Sequence, residues 1–295
     1  MTIAILSGCS LTKSAFEQDG KLHITATIGM ITDVVEQIGG NRVSVIGLMG
    51  PGVDPHLYKA SQGDIAKLDE AELIFYGGLH LEGKMTEIFH MLSRKKPVVA
   101  VTNAIPEDQL RTLTEGVHDP HVWFDVKKWM SASEVIRDTL ITEDPIHETE
   151  YRERADAYLK KLQELDQYAR DQIASIPLSG RVLVTAHDAF GYFGDAYNIE
   201  VVGLQGISTA SEYGSKDVTS LRDMIVERKI KAVFVESSVP KKSIEAVIEG
   251  AAQKGHKVVI GGELFSDAMG KAGTDEGTYI GMVKHNVDTI VAALK

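Results

Sequence analysis

Residues 146–176 read IHETEYRERADAYLKKLQELDQYARDQIASI, and this stretch decides how the chain is organised. Charged and polar residues separate a set of apolar residues that recur at spacings of three and four: Tyr151, Ala155, Tyr158, Leu162, Leu165, Ala169, Ile173 and Ile176. This spacing places the apolar side chains on one face of an α-helix, and no glycine or proline follows until Pro177. A helix of about 30 residues is about 45 Å long. A coiled coil would show the same stripe, but α/β patterns on both sides favour a backbone helix that connects two lobes.

Strand and helix patterns alternate on both sides of this helix. Apolar runs indicate buried strands at 22–27, 43–49, 73–76, 97–101, 181–186, 199–204, 232–236 and 257–260. Helical patterns lie at 28–38, 61–68, 82–92, 127–140, 217–228, 241–253 and 278–294, and one more ends near 196. Such alternation is typical of parallel sheets covered by helices. The sequence therefore predicts an α/β fold with two (β/α) lobes, each with a mostly parallel four-stranded sheet, joined by one long backbone helix.

The length of the chain suggests how it divides into domains, and its charge excludes some classes of partner. We expect a signal remnant or lipoprotein tether at 1–20, an N-terminal lobe at 21–145, a linking helix at 146–176 and a C-terminal lobe at 177–295. The net charge is −11, from 31 basic and 42 acidic residues. Because the basic residues form no cluster, nucleic acid and anionic membrane surfaces are not expected partners. No segment reaches about 18 consecutive apolar residues, so the sequence predicts no membrane-spanning helix.

Cys9 is the single cysteine of the chain, so neither an intramolecular disulfide nor a cysteine zinc site is possible. It ends the sequence Leu6-Ser7-Gly8-Cys9, after a short apolar run. This resembles the bacterial lipoprotein cleavage motif, although the run is shorter than a full signal segment and has no basic residues before it. We therefore expect Cys9 to carry a lipid anchor outside the cytoplasm. A buried cysteine near the terminus is the alternative.

The triplet Asp-Pro-His occurs twice, at 54–56 and at 119–121. Proline fixes φ and holds the residue before it in an extended conformation, so each triplet predicts a rigid turn that ends in a histidine. A rigidly held imidazole makes a good metal ligand because little side-chain freedom is lost when the ion binds. Two such turns indicate one site built from distant segments. Ordinary surface turns are the alternative, since aspartate and proline are common in turns.

His56, His121, His187 and Asp267 occupy comparable places, each just beyond a predicted strand or in a rigid turn. Three neutral imidazoles and one carboxylate would complete the ligand set of a borderline dication such as Zn²⁺. A carboxylate binds through one oxygen or two, so the set also suits Mn²⁺ or Fe²⁺. On spacing alone this signal is weak, because ligands so far apart match no compact zinc motif.

Five ordered motifs resemble the TroA-type zinc/manganese receptors of bacterial ABC importers, and the resemblance covers residues 22–295. The motifs are Gly29-Met30-Ile31, Gly47-Leu48-Met49-Gly50-Pro51-Gly52-Val53-Asp54-Pro55-His56, Asp119-Pro120-His121-Val122-Trp123-Phe124-Asp125, His187-Asp188-Ala189-Phe190-Gly191-Tyr192-Phe193 and Glu263-Leu264-Phe265-Ser266-Asp267. The resemblance implies a metal buried between two lobes, with His56, His121, His187 and Asp267 as its ligands. It implies one Zn²⁺ or Mn²⁺ per chain as transported ligand and an ABC permease as partner. It also implies a monomer in the periplasm or on the outer face of the cell membrane, attached to the membrane only through a lipid anchor.

Two departures from the family pattern bear on the metal. Manganese-type relatives have a glutamate where this chain has His187, and zinc-type relatives carry a long histidine- and acid-rich loop where 103–117 is short here. The chain therefore resembles the mixed zinc/manganese group, and Zn²⁺ is the stronger binder by the Irving–Williams order. Each imidazole must be neutral to bind, so affinity is expected to fall as the pH drops toward about 6.5 and below.

Glu236 and His80 are further candidates for contact with the ligand residues rather than with the metal. Glu236 ends a predicted strand and could orient a ligand histidine, as carboxylates around metal sites do. His80 follows Gly77-Gly78 at another strand end, and a plain surface position is its alternative.

We do not expect an enzyme. A metallohydrolase would need an open coordination position and a nearby general base, and four protein ligands leave no open position. A surface adhesin-type lipoprotein remains an alternative. A siderophore or corrinoid receptor would need a broad site lined by aromatic or basic residues instead of converging histidines.

Overall fold

The computed structural model describes residues 15–16 and 19–295. Cys9, the predicted lipid anchor, lies outside the described residues. Within the described ranges, no helix combines the length and the apolar character that crossing a membrane requires.

The first half of the chain forms a parallel sheet whose strands alternate with helices. In chain order the elements are β1 (Leu22–Ala26), α1 (Gly29–Gly39), β2 (Val43–Gly47), α2 (Gln62–Glu70), β3 (Leu73–Tyr76), α3 (Thr86–Leu92) and β4 (Val98–Ala100). The four strands lie in the order β2-β1-β3-β4, and every pairing is parallel. All four carboxyl ends therefore share one edge of the sheet, where the segments that follow the strands gather.

A short antiparallel hairpin and two long helices lead to the second half. They are β5 (Thr112–Thr114), β6 (Val117–His118), α4 (Val126–Glu143) and α5 (Glu148–Ala174). A single 3₁₀ turn, Val122–Phe124, separates the hairpin from α4. Asp125 is the N-cap of α4, because its side chain accepts hydrogen bonds from the backbone N–H groups of Lys127 and Lys128.

Helix α5 is the predicted connecting helix, with 27 residues. Its predicted apolar stripe is buried along its whole length, and Ile176, just beyond its end, is buried as well. The helix packs against α1 and α4 of the first half and against α9 of the second half. The stripe therefore joins elements of both halves in one core.

The second half again alternates strands with helices. Its elements are β7 (Val182–His187), α6 (Gly191–Tyr197), β8 (Glu200–Gln205), α7 (Ser215–Glu227), β9 (Ala232–Glu236), α8 (Lys242–Gln253), β10 (Val259–Leu264) and α9 (Tyr279–Leu294). β7 pairs with β8 and β9 pairs with β10, both in parallel, and β7 lies beside β9. The predicted α/β class with parallel strands is confirmed, although backbone hydrogen bonds define two pairs here instead of one four-stranded ladder. At the carboxyl ends, a side chain links the two pairs, because the Glu236 carboxylate accepts a hydrogen bond from the His187 backbone N–H at 2.8 Å.

Two apolar clusters fill the interior. The larger one contains side chains from both halves and from α5, including Ile24, Trp123, Leu162, Phe234 and Ile290. The smaller one lies within the second half, where β7, β8 and β9 pack against α7 and α8. The halves therefore share a core, and the segments after their strands face each other.

Candidate metal centre

The structure brings together the four residues that the sequence analysis gathered. His56 lies in the turn after β2, His121 follows the β5–β6 hairpin, and His187 is the last residue of β7. Asp267 lies just beyond the end of β10. His56 is 5% exposed, and the exposed fractions of the other three are 0–1%. Two residues thus come from each half, and all four are buried.

Distances between the side-chain atoms match the edges of a small coordination polyhedron. The Nε2 atoms of His56 and His121 are 3.2 Å apart. Asp267 Oδ1 lies 3.3 Å from His121 Nε2, and Asp267 Oδ2 lies 3.4 Å from His187 Nε2 and 3.8 Å from His56 Nε2. All the ligand atoms lie within 4.8 Å of one another. Tetrahedral zinc with bonds of about 2.0–2.1 Å has edges of about 3.3–3.4 Å.

Buried polar atoms at the centre have no partner among the described residues. Asp267 Oδ1, Asp267 Oδ2 and His187 Nε2 are inaccessible to solvent and form no hydrogen bond there. A buried carboxylate without a hydrogen bond is costly unless a cation compensates it. The donor set, three imidazole nitrogens and one carboxylate, suits a borderline transition-metal dication. The residues therefore fit a metal ion at the point on which they converge.

Two of the histidines are oriented by buried carboxylates. The Asp119 carboxylate accepts from His121 Nδ1–H at 2.7 Å and from the His121 backbone N–H at 2.9 Å. Glu236 contacts His187 in the same two ways, through Nδ1 and the backbone N–H. Fixing the proton on Nδ1 leaves the Nε2 lone pair free for a metal, and such partners raise ligand basicity.

Burial and charge act in opposite directions on the pKa of these two histidines. Burial lowers the pKa of His121, but the charge of Asp119, the hydrogen bond to Asp119 and the nearby Asp267 carboxylate outweigh it and raise the pKa to about 9. Burial also lowers the pKa of His187, and the charges of Glu236 and Asp267 raise it well above its ordinary value. The neighbouring carboxylates therefore favour the doubly protonated form of both imidazoles.

His56 and Asp267 shift the other way. Burial, together with the charges of His121 and His187, lowers the pKa of His56 to about 4 against the attraction of Asp267. Burial raises the pKa of Asp267, but the charges of His187 and His121 outweigh it and hold that pKa well below its usual range. The centre thus presents a neutral imidazole and an ionised carboxylate to an incoming cation.

Other hydrogen bonds hold the segment that carries Asp267. Trp123 Nε1 donates to the Ser266 carbonyl at 3.0 Å, and the Tyr279 hydroxyl donates to the Trp123 carbonyl at 2.7 Å. The Asn286 side chain accepts from the Phe265 backbone N–H at 2.9 Å and donates to the Phe265 carbonyl at 2.7 Å. Trp123, from the first half, therefore fixes a segment of the second half.

The remaining predicted residues lie in different places. Glu236 contacts His187 as described, whereas the structure does not bring His80 to the cluster. His80 is exposed, has a left-handed φ of 65°, and lines a separate cavity of about 620 Å³ beside α3 and the hairpin. Asp119 and Asn286 were missed by sequence reasoning. Asp119 had a signal, since it belongs to the Asp-Pro-His triplet, but its role was interpreted as turn formation alone.

Known proteins resemble this chain over nearly its full length. Residues 24–293 match the ZnuA family, described as the zinc-uptake complex component A, periplasmic. The manganese-binding lipoprotein MntA of Bacillus subtilis (strain 168) is 52% identical over 98% of this chain and 95% of its own length. The metal ABC transporter substrate-binding lipoprotein SsaB of Streptococcus sanguinis is 30% identical over 100% of this chain and 96% of its own.

A solved structure has the same fold. The periplasmic zinc-binding protein TroA from Treponema pallidum superposes with a TM-score of 0.92 at 53% identity, covering 93% of this chain and 99% of that one. The family model matches most of the chain, and relatives are similar to it over nearly their full length. The chain belongs to the ZnuA family of metal-uptake binding proteins.

Proposed function

We propose that this protein captures one divalent transition metal, Zn²⁺ or Mn²⁺, outside the cytoplasm and delivers it to an ABC-type permease. The observation that carries the proposal is the buried convergence of three imidazoles and one carboxylate, with polar atoms that lack hydrogen-bond partners among the described residues. The names of the relatives, a manganese-binding lipoprotein and an ABC transporter substrate-binding lipoprotein, support it.

We propose His56, His121, His187 and Asp267 as the metal ligands, and Asp119 and Glu236 as the residues that orient the imidazoles. A metal at this point would neutralise Asp267 and replace the protons held by His121 and His187. Zn²⁺ is favoured over Mn²⁺ by three nitrogen donors and the Irving–Williams order, so metal supply would decide which ion is carried. Four protein donors fit a carrier better than a metallohydrolase, whose metal needs an open position for water.

The wider organisation is part of the same proposal. The segments 21–145 and 177–295 would act as two lobes on either side of the linking helix, and the protein would work as a monomer. Cys9 in residues 1–20 would carry the lipid anchor, which would be the only attachment to the membrane. A lipoprotein relative at 52% identity supports this part. Among the residues that the structure describes, no observation favours the adhesin-type alternative.

Metal binding by purified protein tests the proposal. After chelator treatment, titration with Zn²⁺ and with Mn²⁺ should give one ion per chain by calorimetry and by mass spectrometry of the retained metal. His187→Ala removes a ligand and should lower the affinity for Zn²⁺ by at least about a hundredfold, the upper range for residues that support such sites. His256→Ala is the matched control, because His256 Nε2 bonds to the Ile230 carbonyl and His256 does not belong to the group of four.

His187→Glu extends the test to selectivity. A harder ligand should move preference toward Mn²⁺, seen as a higher Mn²⁺/Zn²⁺ ratio in protein equilibrated with both ions. Wild-type protein that retains no stoichiometric ion under replete conditions would overturn the proposal, and so would a His187→Ala variant that binds Zn²⁺ like the wild type.

A further inference from the structure

The two Asp-Pro-His turns look alike in sequence but are held differently. In both, the aspartate accepts from the backbone N–H of its histidine, at 2.8 Å for Asp54 and His56 and at 2.9 Å for Asp119 and His121. Asp119 also accepts from the imidazole Nδ1–H. The second oxygen of Asp54 instead accepts from the hydroxyl of Thr209 at 2.5 Å. The His56 turn is thus tied to the second half of the chain.

Thr209 lies on a loop that is itself fixed. The loop, residues 206–214, connects β8 to α7. The side-chain amide of Gln205 donates to the carbonyls of Thr209 at 2.7 Å and Ser211 at 2.5 Å. Gln205 is also the strand partner of His187 in the β7–β8 pair. One path of contacts therefore leads from His187 through Gln205, Thr209 and Asp54 to His56.

This path reaches the proposed ligand with the largest exposed fraction. His56 is 5% exposed, compared with 1% for Asp267 and 0% for His121 and His187. Leu57, the next residue along the chain, is 50% exposed. A metal in the centre would meet water first beside His56, so displacement of the His56 turn is the shortest route by which an ion could leave.

We propose that Thr209 is a positioning residue for the ligand His56, acting through Asp54, and that this hydrogen bond sets the rate at which the bound metal leaves. This inference rests on the proposed function. A hydrogen bond to a charged acceptor stabilises the arrangement in which it forms. While the bond holds, Asp54 keeps the His56 turn against the second half. When it breaks, the His56 turn is free to move away from the other three ligands.

Replacement of the hydroxyl tests the inference without a change of shape. Thr209→Val should bind one metal per chain but release it about five- to tenfold faster when an excess of chelator is mixed with Zn²⁺-loaded protein in a stopped-flow experiment. Thr209→Ser keeps a hydroxyl and should release metal at the wild-type rate. Ser211→Ala is the matched control on the same loop, since it keeps the carbonyl that Gln205 binds.

A double variant tests the route through Asp54. In an Asp54→Asn background, Thr209→Val should add little to the release rate, because both changes act on one contact. Three results would each overturn the inference. Thr209→Val could release metal at the wild-type rate, or Thr209→Ser could release it as fast as Thr209→Val. The effects of Asp54→Asn and Thr209→Val on the release rate could also be fully additive. Stoichiometric binding by the wild type, abolished by His187→Ala, is measured in parallel, so failure of the proposed function is seen separately.

Discussion

Buried carboxylates orient His121 and His187. The same carboxylates favour a proton on each ring, and this proton would compete with a metal. Asp119 and Glu236 hold the Nδ1 protons and leave Nε2 pointing at Asp267. The surrounding carboxylates raise the pKa of both rings and so favour protonation of Nε2. A proton and a metal bound at the proposed ligands would compete for the same lone pairs, so capture of a metal would be an exchange.

At the scale of these residues, we expect metal binding at pH 7 to release about two protons. One comes from His121, whose pKa is about 9, and one from His187, whose pKa is raised well above its ordinary value. His56 contributes none, because its pKa is about 4. Apparent affinity should keep rising from pH 6.5 to about 9, which moves the window expected from free histidine upward. Calorimetry in buffers of different ionisation enthalpy measures the protons released.

The stability of the metal-free protein should depend on pH through the same groups. A histidine whose pKa is raised on folding stabilises the fold below its unfolded pKa of about 6.5, and that contribution is lost as the pH rises through the folded pKa. His121 should therefore make the metal-free protein lose stability between about pH 6.5 and 9. Asp267, whose pKa is lowered, adds the opposite loss below about pH 3.8. Binding that releases no proton at pH 7, with affinity constant above pH 6.5, would contradict this account.

The sequence could predict residues whose chemistry and local backbone are distinctive. His56 and His121 stand in rigid proline turns, and Glu236 ends a strand beside the one that carries His187. Contacts that depend on how the halves meet have no local signal. Thr209 occurs in an ordinary loop of small polar residues, and only the packing of that loop on the His56 turn brings its hydroxyl to Asp54.

At the scale of elements, α5 holds the two halves together through one buried stripe. Its first turn carries Glu148 and Glu150. Their negative charges are stabilised by the positive end of the helix dipole. Glu150 also forms a bidentate pair with Arg42, between α1 and β2. Both partners of this pair are more than a third exposed, so the pair adds little stability. Apolar burial along the stripe is therefore the main contribution of α5.

We expect Leu162→Ala to destabilise the protein by about 2–5 kcal/mol, the range for truncation of a buried leucine. Leu162 is 0% exposed in the middle of α5 and belongs to the cluster shared by both halves. Denaturant unfolding of the metal-free protein measures the change. Gln163→Ala, one residue further along the same helix and exposed, is the control and should change stability by less than about 0.5 kcal/mol. If the two variants changed the free energy of unfolding equally, burial of the apolar stripe would not be what stabilises the packing of α5.

Elements with a regular apolar period could be predicted closely, and those shaped by a tertiary contact could not. Helix α2, predicted at 61–68, begins after Ser61, whose side chain forms a capping box with Asp64. The segment at 82–92 becomes helical only from Thr86, because the buried Glu82 carboxylate accepts from Thr27 Oγ1 at 2.6 Å and from Gly77 N–H at 2.7 Å. These bonds fix Glu82 at the ends of β1 and β3.

β10 shows the same limit for strands. The apolar run predicts a strand at 257–260, yet the strand continues through Gly261 and Gly262 to Leu264. Gly261 has no side chain because a Cβ there would lie 2.7 Å from Ala293 and 2.9 Å from Phe234. The β5–β6 hairpin was missed because Thr112–Thr114 is exposed throughout and has no apolar alternation.

At the scale of the whole molecule, polar contacts between the halves surround the centre on several sides. Thr209 reaches Asp54, Trp123 reaches Ser266, and the Tyr192 hydroxyl accepts from the Arg111 N–H and donates to the Asp119 carbonyl, both at 3.0 Å. These contacts join the segments that carry the four proposed ligands, and contacts that hold a site in its binding geometry lower the cost of ordering it when an ion binds.

This arrangement predicts how a metal changes the stability of the whole protein. A ligand at about a thousand times its Kd stabilises the folded state by about 4 kcal/mol, and each 1 kcal/mol raises the Tm of a protein of roughly this size by about 2–4 °C. Saturating Zn²⁺ should therefore raise the Tm by about 8–16 °C in differential scanning calorimetry. His187→Ala, which should bind at least about a hundredfold more weakly, should reduce this shift to about a third or less at the same Zn²⁺ concentration.

The shape of that transition tests the shared core. Ile24 of β1, Leu162 of α5 and Ile290 of α9 belong to one apolar cluster, so a metal bound between the halves should move a single cooperative transition as a unit. The smaller cluster of the second half is joined to the centre through β7 and β9, which carry His187 and Glu236. If Zn²⁺ moved one of two separate transitions and left the other in place, the halves would unfold independently. The metal would then stabilise only the half that retains its ligands, and the shared cluster would not couple the two.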